Sequence, residues 1–256
     1  MPESLTYARD GDIAIVRLAR VAKRNALDDT TVRGIETLFS HLPDDVRAVV
    51  IGAEGDHFSA GLDLSALAEA SLMQSMQKSH LWYRAFDLIQ FGRVPVIAAL
   101  HGAVIGGGFE LASAAHIRVA DRSAFYALPE AQRGIFVGGG GSVRISRLIG
   151  PPRMMDLMLT GRVYDAEEGQ AIGISQYLVA AGDAETKAIE LARHIATIPP
   201  LSVFGILHAV PRNAEADPAT AYLLEGLMAS AAQADPEAKR RIADFLAGRA
   251  AKVGKS

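Results

Sequence analysis

Helical stretches alternate with short, mainly apolar stretches along the first half of the chain, and this alternation constrains the fold more than any other feature. Apolar residues recur at helical spacing over residues 31–42 and 71–91. The apolar stretches at residues 46–51, 96–100 and 117–120 have the length of buried strands. Strands that helices connect and cover on both faces form parallel sheets, so the sequence predicts an α/β fold.

The two ends of the chain depart from this alternation. Near the N-terminus, alternating residues 5–9 and 13–18 flank an Asp-Gly-Asp turn at residues 10–12, which predicts a β-hairpin. Toward the C-terminus, the apolar positions follow helical spacing alone. We therefore expect an α/β core at residues 1–195 and an all-helical segment at residues 196–256, whose apolar faces need a further surface to cover them.

Charge and composition exclude several classes of function. The 26 basic and 29 acidic residues give a formal charge of −3, which offers no general attraction to nucleic acid or to an anionic membrane. The absence of cysteine excludes disulfides and thiolate chemistry and is typical of a cytoplasmic protein. The longest apolar run, residues 94–109, is interrupted by Pro95 and by four glycines, so no segment is expected to cross a membrane.

Several catalytic and nucleotide-binding motifs fail on spacing. Leu111 stands where a dinucleotide fingerprint beginning at Gly106 needs its third glycine, and Arg249 stands where a P-loop ending at Ser256 needs its first. The sequence contains no G-x-S-x-G elbow, no H-E-x-x-H motif and no histidine pair at i, i+4 spacing. We therefore expect no metal ion at the site.

Three consecutive glycines and two glutamates remain as candidates for chemistry. Residues 106–108 are glycines just before a predicted short helix, where unpaired N–H groups can bind an anion or oxyanion. Glu110 is the one carboxylate in residues 94–117, and Glu130 follows Pro129. Burial raises the pKa of a carboxyl group toward the range of proton transfer at neutral pH. The alternatives are glycines that only permit close packing and glutamates that only favour a helix start.

Taken together, several segments resemble the crotonase, or enoyl-CoA hydratase/isomerase, family. The segments that carry the resemblance are residues 23–27 (KRNAL), residues 59–64 (SAGLDL), residues 106–111 (GGGFEL), Pro129-Glu130 followed by Gly134, and residues 138–141 leading into Arg144. Their order and spacing extend over nearly the whole chain. The resemblance implies a crotonase-like spiral of β-β-α units with a C-terminal all-helical oligomerisation segment.

The resemblance also implies a reaction. In the family, backbone N–H groups, here those of Ala60 and Gly107, would bind the carbonyl oxygen of a CoA thioester. Glu110 would hold and activate a water molecule, and Glu130 would deliver a proton to C2. Because both glutamates are present, the resemblance favours an enoyl-CoA hydratase that forms a 3-hydroxyacyl-CoA. The expected partner is an acyl-CoA thioester, with no separate cofactor.

Further binding residues and an assembly follow from the same resemblance. The CoA-binding residues it implies are Lys23, Arg24, Ala26, Ala60, Asp63, Leu64 and Phe245. The acyl-pocket residues it implies are Met73, Met76, Trp82 and Phe109. The C-terminal helices would form a homotrimer or a homohexamer. The alternatives are that the basic pair is only a solvated turn and that the Met and aromatic positions are only core.

Three departures from the family pattern leave other reactions open. His116 replaces a usual aspartate, Val137 a common proline, and Val143 lies where a Thr-Gln pair is frequent. A double-bond isomerase that uses Glu130 alone is one alternative, and a thioester hydrolase or C–C lyase is another, since one oxyanion site serves all of these reactions. A binding or scaffold protein that keeps only the fold is the non-enzymatic alternative. The predicted strand around His116 indicates that this histidine is structural.

Overall fold

A computed structural model describes residues 1–66 and 71–249 of the chain. The chain divides into two compact units, Met1–Ala196 and Thr197–Ser256. This boundary lies one residue from the predicted one. The described part of the first unit carries two β-sheets and seven α-helices, and that of the second unit carries three α-helices.

The larger sheet contains six strands, and most are parallel. In spatial order they are β1 (Leu5–Asp10), β2 (Ile13–Leu18), β3 (Ala48–Ala53), β4 (Val96–Leu100), β6 (Ile117–Asp121) and β9 (Tyr177–Val179). The β1–β2 pair is antiparallel, and every other pair in this sheet is parallel. The predicted α/β class, with an N-terminal hairpin beside a parallel sheet, is confirmed.

A smaller sheet, which the sequence did not predict, lies next to the glycine-rich segment. It consists of β5 (Ala103–Ile105), β7 (Phe125–Ala127) and β8 (Tyr164–Asp165). Strand β5 pairs with β7 in parallel and, through residue 104, forms a single bridge to Ser59. The small sheet therefore links the segment before residue 106 to the loop at residues 59–64.

Seven helices surround these sheets in the first unit. They are α1 (Asp29–Ser40), α2 (Leu72–Gln90), α3 (Gly107–Ala114), α4 (Gly141–Ile149), α5 (Pro151–Thr160), α6 (Ala166–Ala171) and α7 (Ala184–Ala196). Local sequence explains where two of them begin. The Asp28 side chain accepts the Thr31 N–H at the start of α1, and Ser71 forms a reciprocal capping box with Gln74 at the start of α2.

The inner strands β2, β3, β4 and β6 of the larger sheet are mostly buried on both faces, as their apolar residues predict. On one face Ala14 and Val16 of β2 join the main core, to which α2 contributes Trp82 and Phe86. On the other face, alternate strand residues pack with three alanines of α7 in a second cluster. Because β4 is covered on both sides, the chain that leaves it toward β5 and α3 starts from a fixed position.

The second unit contains only helices among its described residues, as predicted. They are α8 (Pro200–Asn213), α9 (Pro218–Ala234) and α10 (Pro236–Leu246). Asp217 and Asp235 cap the N-termini of α9 and α10. Among the described helices, none alone is long and apolar enough to cross a membrane, although α7 and α8 meet the length and composition test as a bent pair.

Candidate active site

The first unit contains a cavity of about 270 Å³ that brings together most of the segments singled out in the sequence. Its lining residues are Ala60, Gly61, Leu62, Leu64, Ser75, Lys78, Ser79, Trp82, Ile105, Gly106, Gly107, Glu110, Pro129, Glu130, Arg133, Ile135, Phe136, Val137, Gly138 and Gly139. Both candidate glutamates face this one cavity, which lies between the loop after β3, helix α2 and the start of α3.

The loop at residues 59–62 is held by backbone hydrogen bonds to residues 24–27. The Ala60 N–H donates to the Arg24 carbonyl at 2.9 Å, and the Leu27 N–H donates to the Gly61 carbonyl at 2.7 Å. The prediction that the Ala60 N–H is an oxyanion donor is therefore wrong, because that N–H already has an intramolecular acceptor. Within residues 1–66 and 71–249, the N–H of Leu62 has no acceptor.

The N–H of Gly107, at the first position of α3, completes a pair with that of Leu62. A Cβ atom on Gly107 would lie 3.4 Å from the Leu62 nitrogen, and both residues line the cavity. Within the described ranges the Gly107 N–H also has no acceptor, as expected for the first turn of a helix. Two backbone donors that have no acceptor among the described residues therefore lie close together on one cavity, as stabilisation of a developing oxyanion requires.

Glu110 lies in the first turn of α3 and is 3% exposed. Its Oε1 atom accepts the N–H groups of Gly139 at 2.8 Å and Gly141 at 2.7 Å. Burial raises the pKa of Glu110, while these donors and the Arg144 charge oppose the rise. Since both donors bind Oε1, the carboxyl group is fixed at one oxygen.

Gly139 and Gly141 lie so close to the Glu110 side chain that a larger residue would not fit at Gly141 and would be tight at Gly139. A Cβ atom on Gly141 would lie 2.8 Å from the Glu110 Cγ, and one on Gly139 would lie 3.2 Å from its Oε2. Real Cβ atoms do not approach side chains as closely as the first distance. The glycine run at residues 138–141 therefore allows the backbone to reach the carboxyl group.

Glu130 is the second buried carboxyl group, and it is 8% exposed. Within the described ranges, its Oε2 atom is buried without a hydrogen-bond partner. Burial, together with the negative charge of Glu110, raises the pKa of Glu130 to about 7, against an opposing effect of Arg133. Its Oε1 atom would lie 2.6 Å from a Cβ atom on Gly106, so this glycine also admits a carboxyl group.

Comparison with known proteins places this chain in a family. A model of the enoyl-CoA hydratase/isomerase family matches residues 8–253. The chain belongs to the enoyl-CoA hydratase/isomerase family. The resemblance seen in the sequence is thereby confirmed.

Individual relatives agree with the family assignment. Enoyl-CoA hydratase EchA19 of Mycobacterium tuberculosis is 34% identical over 82% of this chain and 80% of its own length. Carnitinyl-CoA dehydratase of Salmonella enteritidis is 35% identical over 79% of this chain and 78% of its own length. A solved structure of a candidate enoyl-CoA hydratase from Rhodopseudomonas palustris is 56% identical, covers 98% of this chain and 97% of its own, and superposes with a TM-score of 0.94.

Of the residues predicted to bind CoA, some have exposed side chains and others form hydrogen bonds within the protein. Lys23 and Arg24 have exposed side chains, and the Arg24 backbone braces the loop at residues 59–62. The Ala26 carbonyl accepts a hydrogen bond from Arg20. Asp63 is engaged within the protein, because hydrogen bonds from Ser65 and Arg20 lower its pKa to about 2. The structure therefore gives Asp63 a role in holding its own loop.

Leu64 and Phe245 complete the set predicted to bind CoA. Leu64 lines the cavity and is partly exposed, as the wall of an open site would be. Phe245 is exposed on α10 in the second unit, and its contact with CoA stays a prediction.

The predicted acyl-pocket residues divide into one on the cavity and three elsewhere. Trp82 lines the cavity, and its Cζ3 atom would lie 2.7 Å from a Cβ atom on Gly107. Met73 and Met76 are exposed on the first turns of α2 and do not belong to the cavity lining. Phe109 is fully buried and packs against Tyr126 at a centroid distance of 5.5 Å, so it belongs to the core. Periodicity could not separate these positions, since all four are apolar.

The sequence departures have structural explanations in two cases. The Nδ1 atom of His116 accepts the Val96 N–H at 3.0 Å, and its Nε2 atom lies 3.0 Å from the Gln90 carbonyl, so this histidine links α2 to β4. Val137 is buried and lines the cavity. Nothing in the structure explains Val143, which is exposed on α4. Across the described ranges, no group of three or more potential metal ligands occurs.

Proposed function

We propose that the protein hydrates the 2,3 double bond of a 2-enoyl-CoA to give a 3-hydroxyacyl-CoA. The observation that carries the proposal is the convergence of two buried carboxyl groups and two free backbone donors on one cavity. Hydration needs a base for the attacking water, an acid for C2 and stabilisation of an enolate oxygen. Glu110 would be the base, and Glu130 would be the acid. The N–H groups of Leu62 and Gly107 would stabilise the enolate oxygen.

The proposed reaction begins with water held by the free Oε2 atom of Glu110. This carboxylate takes a proton as the water oxygen bonds to C3, and the double-bond electrons move to the thioester oxygen. The N–H groups of Leu62 and Gly107 donate to that oxygen. Glu130 then gives its proton to C2 as the enolate collapses. The reaction uses no separate cofactor, since CoA is part of the substrate.

The different environments of the two carboxyl groups support this division of labour. The anchored Oε1 of Glu110 accepts two N–H groups, and such hydrogen bonds favour the ionised form that a base needs. Glu130 has a pKa of about 7 and an unpartnered Oε2, which favours a proton-carrying acid near neutral pH. Two groups with separated environments are typical of acid–base pairs.

The test is turnover of a panel of enoyl-CoA esters, followed by loss of the conjugated thioester absorbance. Because each acid–base role contributes about 10² to 10⁴ in rate, Glu110→Gln and Glu130→Gln should each lower kcat by at least about 100-fold. Both variants should still bind the ester. If Glu110→Gln hydrates at the wild-type rate, the hydratase proposal fails and an isomerase that uses Glu130 alone becomes the better assignment.

Product analysis separates the remaining activities of this family. A shifted double bond would indicate an isomerase, free CoA a hydrolase, and a shortened acyl group a C–C lyase. CoA binding without turnover of any thioester would indicate a binding protein. We further propose a cytoplasmic homotrimer or homohexamer in which Lys23 and Arg24 contact the phosphates of CoA.

A further inference from the structure

Arg144 of α4 is a buried cation next to the proposed active site, and the mechanism above gives it no role. It is 7% exposed, and its guanidinium makes three hydrogen bonds. Nη1 donates to the Gly139 carbonyl at 2.8 Å, Nε to Gln90 Oε1 at 2.6 Å, and Nη2 to Asp87 Oδ1 at 2.5 Å. Asp87 and Gln90 belong to α2. The guanidinium therefore connects α2 to the glycine run at residues 138–141.

Gly139 forms hydrogen bonds with both Arg144 and Glu110. The Gly139 carbonyl accepts from Arg144, while the Gly139 N–H donates to Glu110 Oε1. These two groups belong to the two peptide units that meet at the Gly139 Cα, so a hydrogen bond that holds the carbonyl restricts the backbone movements of this flexible residue that would carry its N–H away from Glu110. Trp82 and Phe86 of α2 approach the third side of Gly139, where a Cβ atom would lie 2.9 and 3.1 Å from their rings.

Gly140, which lies between Gly139 and Gly141, leaves room for the Arg144 guanidinium. Gly140 has a φ of +96°, and a Cβ atom there would overlap the Arg144 Nη1 atom. A side chain at residue 140 would therefore be strained and would displace the guanidinium. The local sequence thus contains the space that Arg144 needs to reach the carbonyl.

We propose that Arg144 is a positioning residue that fixes the Gly139 peptide so that Glu110 stays bound at Oε1 and keeps Oε2 free for water. Asp87 and Gln90 orient the guanidinium from α2, and Arg144 itself touches neither substrate nor water. The inference rests on the proposed hydration, because it assigns Arg144 to the group that activates the water.

The proposal predicts a specific kinetic change in Arg144→Met, which keeps much of the side-chain volume but removes the donors and the charge. A misplacement of about 1 Å can cost about 100-fold in rate, so kcat should fall 10- to 100-fold. The KM should change less than threefold, since the CoA contacts are untouched. Arg144→Lys keeps the charge and one donor, and it should recover part of the lost kcat.

The pH profile gives a second readout that a merely structural role would not move. The charged groups around Glu110 and its cavity are Arg144 from α4, with Asp87 of α2 behind it, Lys78 of α2, which pairs with Asp29, and Glu130 and Arg133 on the segment after β7. Removing the Arg144 cation removes a factor that lowers the pKa of Glu110. The acidic limb of kcat/KM should therefore move to higher pH in Arg144→Met.

Controls separate this role from folding and from net charge. Arg147→Met removes the same charge from an exposed position one turn along α4 and should leave kcat and the acidic limb unchanged. Thermal unfolding and binding of a CoA ester report whether each variant is folded. If Arg144→Met does not fold, Asp87→Asn, which weakens only the orientation of the guanidinium, should still lower kcat several-fold with an unchanged KM.

The outcomes distinguish this proposal from the function it rests on. If the wild-type protein hydrates no enoyl-CoA, the proposed function fails. If the wild-type protein hydrates but a folded Arg144→Met keeps its kcat and its acidic limb, the positioning role is wrong. A rise in KM alone would also overturn it, because that result would assign Arg144 to substrate binding.

Discussion

The raised pKa of Glu130 carries a cost to stability that can be measured. Burial raises the pKa of Glu130 from 4.5 to about 7 in the folded protein. Below pH 4.5 both states hold the proton, and between pH 4.5 and 7 only the unfolded state releases it. Stability is therefore lost as the pH rises through this window, by about 3 kcal/mol at most.

Glu130→Gln should remove this loss, because glutamine does not ionise. We expect the melting temperature of the variant, relative to the wild-type protein, to be higher at pH 8 than at pH 5. Differential scanning calorimetry at both pH values measures the difference. An equal change at the two pH values would indicate a packing effect and would contradict the raised pKa.

Gly141 provides a second prediction at the level of a single residue. Its φ is not in the left-handed region, so alanine is compatible with the backbone, but the added Cβ would lie 2.8 Å from Glu110 Cγ. Gly141→Ala should displace the carboxyl group and lower kcat by about 100-fold, measured with an enoyl-CoA ester. The control is Gly226→Ala on α9, where no atom of the same chain lies within 4 Å, and this change far from Glu110 in the sequence should leave kcat unchanged.

The residues around Glu110 also show what sequence reasoning could and could not predict. Glu110, Glu130 and Gly107 were found because glutamates amid apolar residues and glycines before a helix have a local signature. The donor at Leu62 was missed, and Ala60 was chosen in its place. Gly61 between them has a φ of +94°, so the direction of each N–H depends on a turn that no periodicity reveals.

At the level of elements, length decides which strands could be predicted. The strands β1 to β4 and β6 have five or six residues each; β1 and β2 were found from their alternating pattern around a turn, and the other three from their mainly apolar runs. The strands β5, β7, β8 and β9 have two or three residues each and were missed. Strands this short are formed by their partners in space, since so few residues carry no periodic signal.

Helix α7 covers one face of the larger sheet, and its small residues allow the close approach. Ala188 is fully buried among residues of the sheet, including Ile13 and Val50. Ala188→Leu should force the helix away and destabilise the protein by about 1–3 kcal/mol in denaturant unfolding. Thr186→Leu makes a similar addition at an exposed position of the same helix and should change stability by less than about 0.5 kcal/mol. Equal effects in the two variants would contradict this packing.

At the level of the whole molecule, the second unit buries few of its described apolar residues, chiefly Val203, Leu207 and Ala209 of α8. None of the residues of α9 or α10 is buried. Among residues 197–249, the large exposed apolar residues are Phe204, Ile206, Val210, Tyr222, Leu223, Leu227, Ile242, Phe245 and Leu246. The sequence could predict these helices from their spacing, but the surface that covers them depends on contacts beyond one chain. Exposed apolar groups of this extent are typical of an interface.

Self-association through this unit is therefore the prediction that belongs to the whole molecule. We expect sedimentation equilibrium to give the mass of a trimer or a hexamer. Replacing Leu223 and Leu227 together by glutamate places two charges on one face of α9, which should shift the distribution toward the monomer. Glu225→Lys alters the opposite face of the same helix and should leave the assembly intact. A wild-type protein that sediments as a stable monomer would show that these apolar faces have another function.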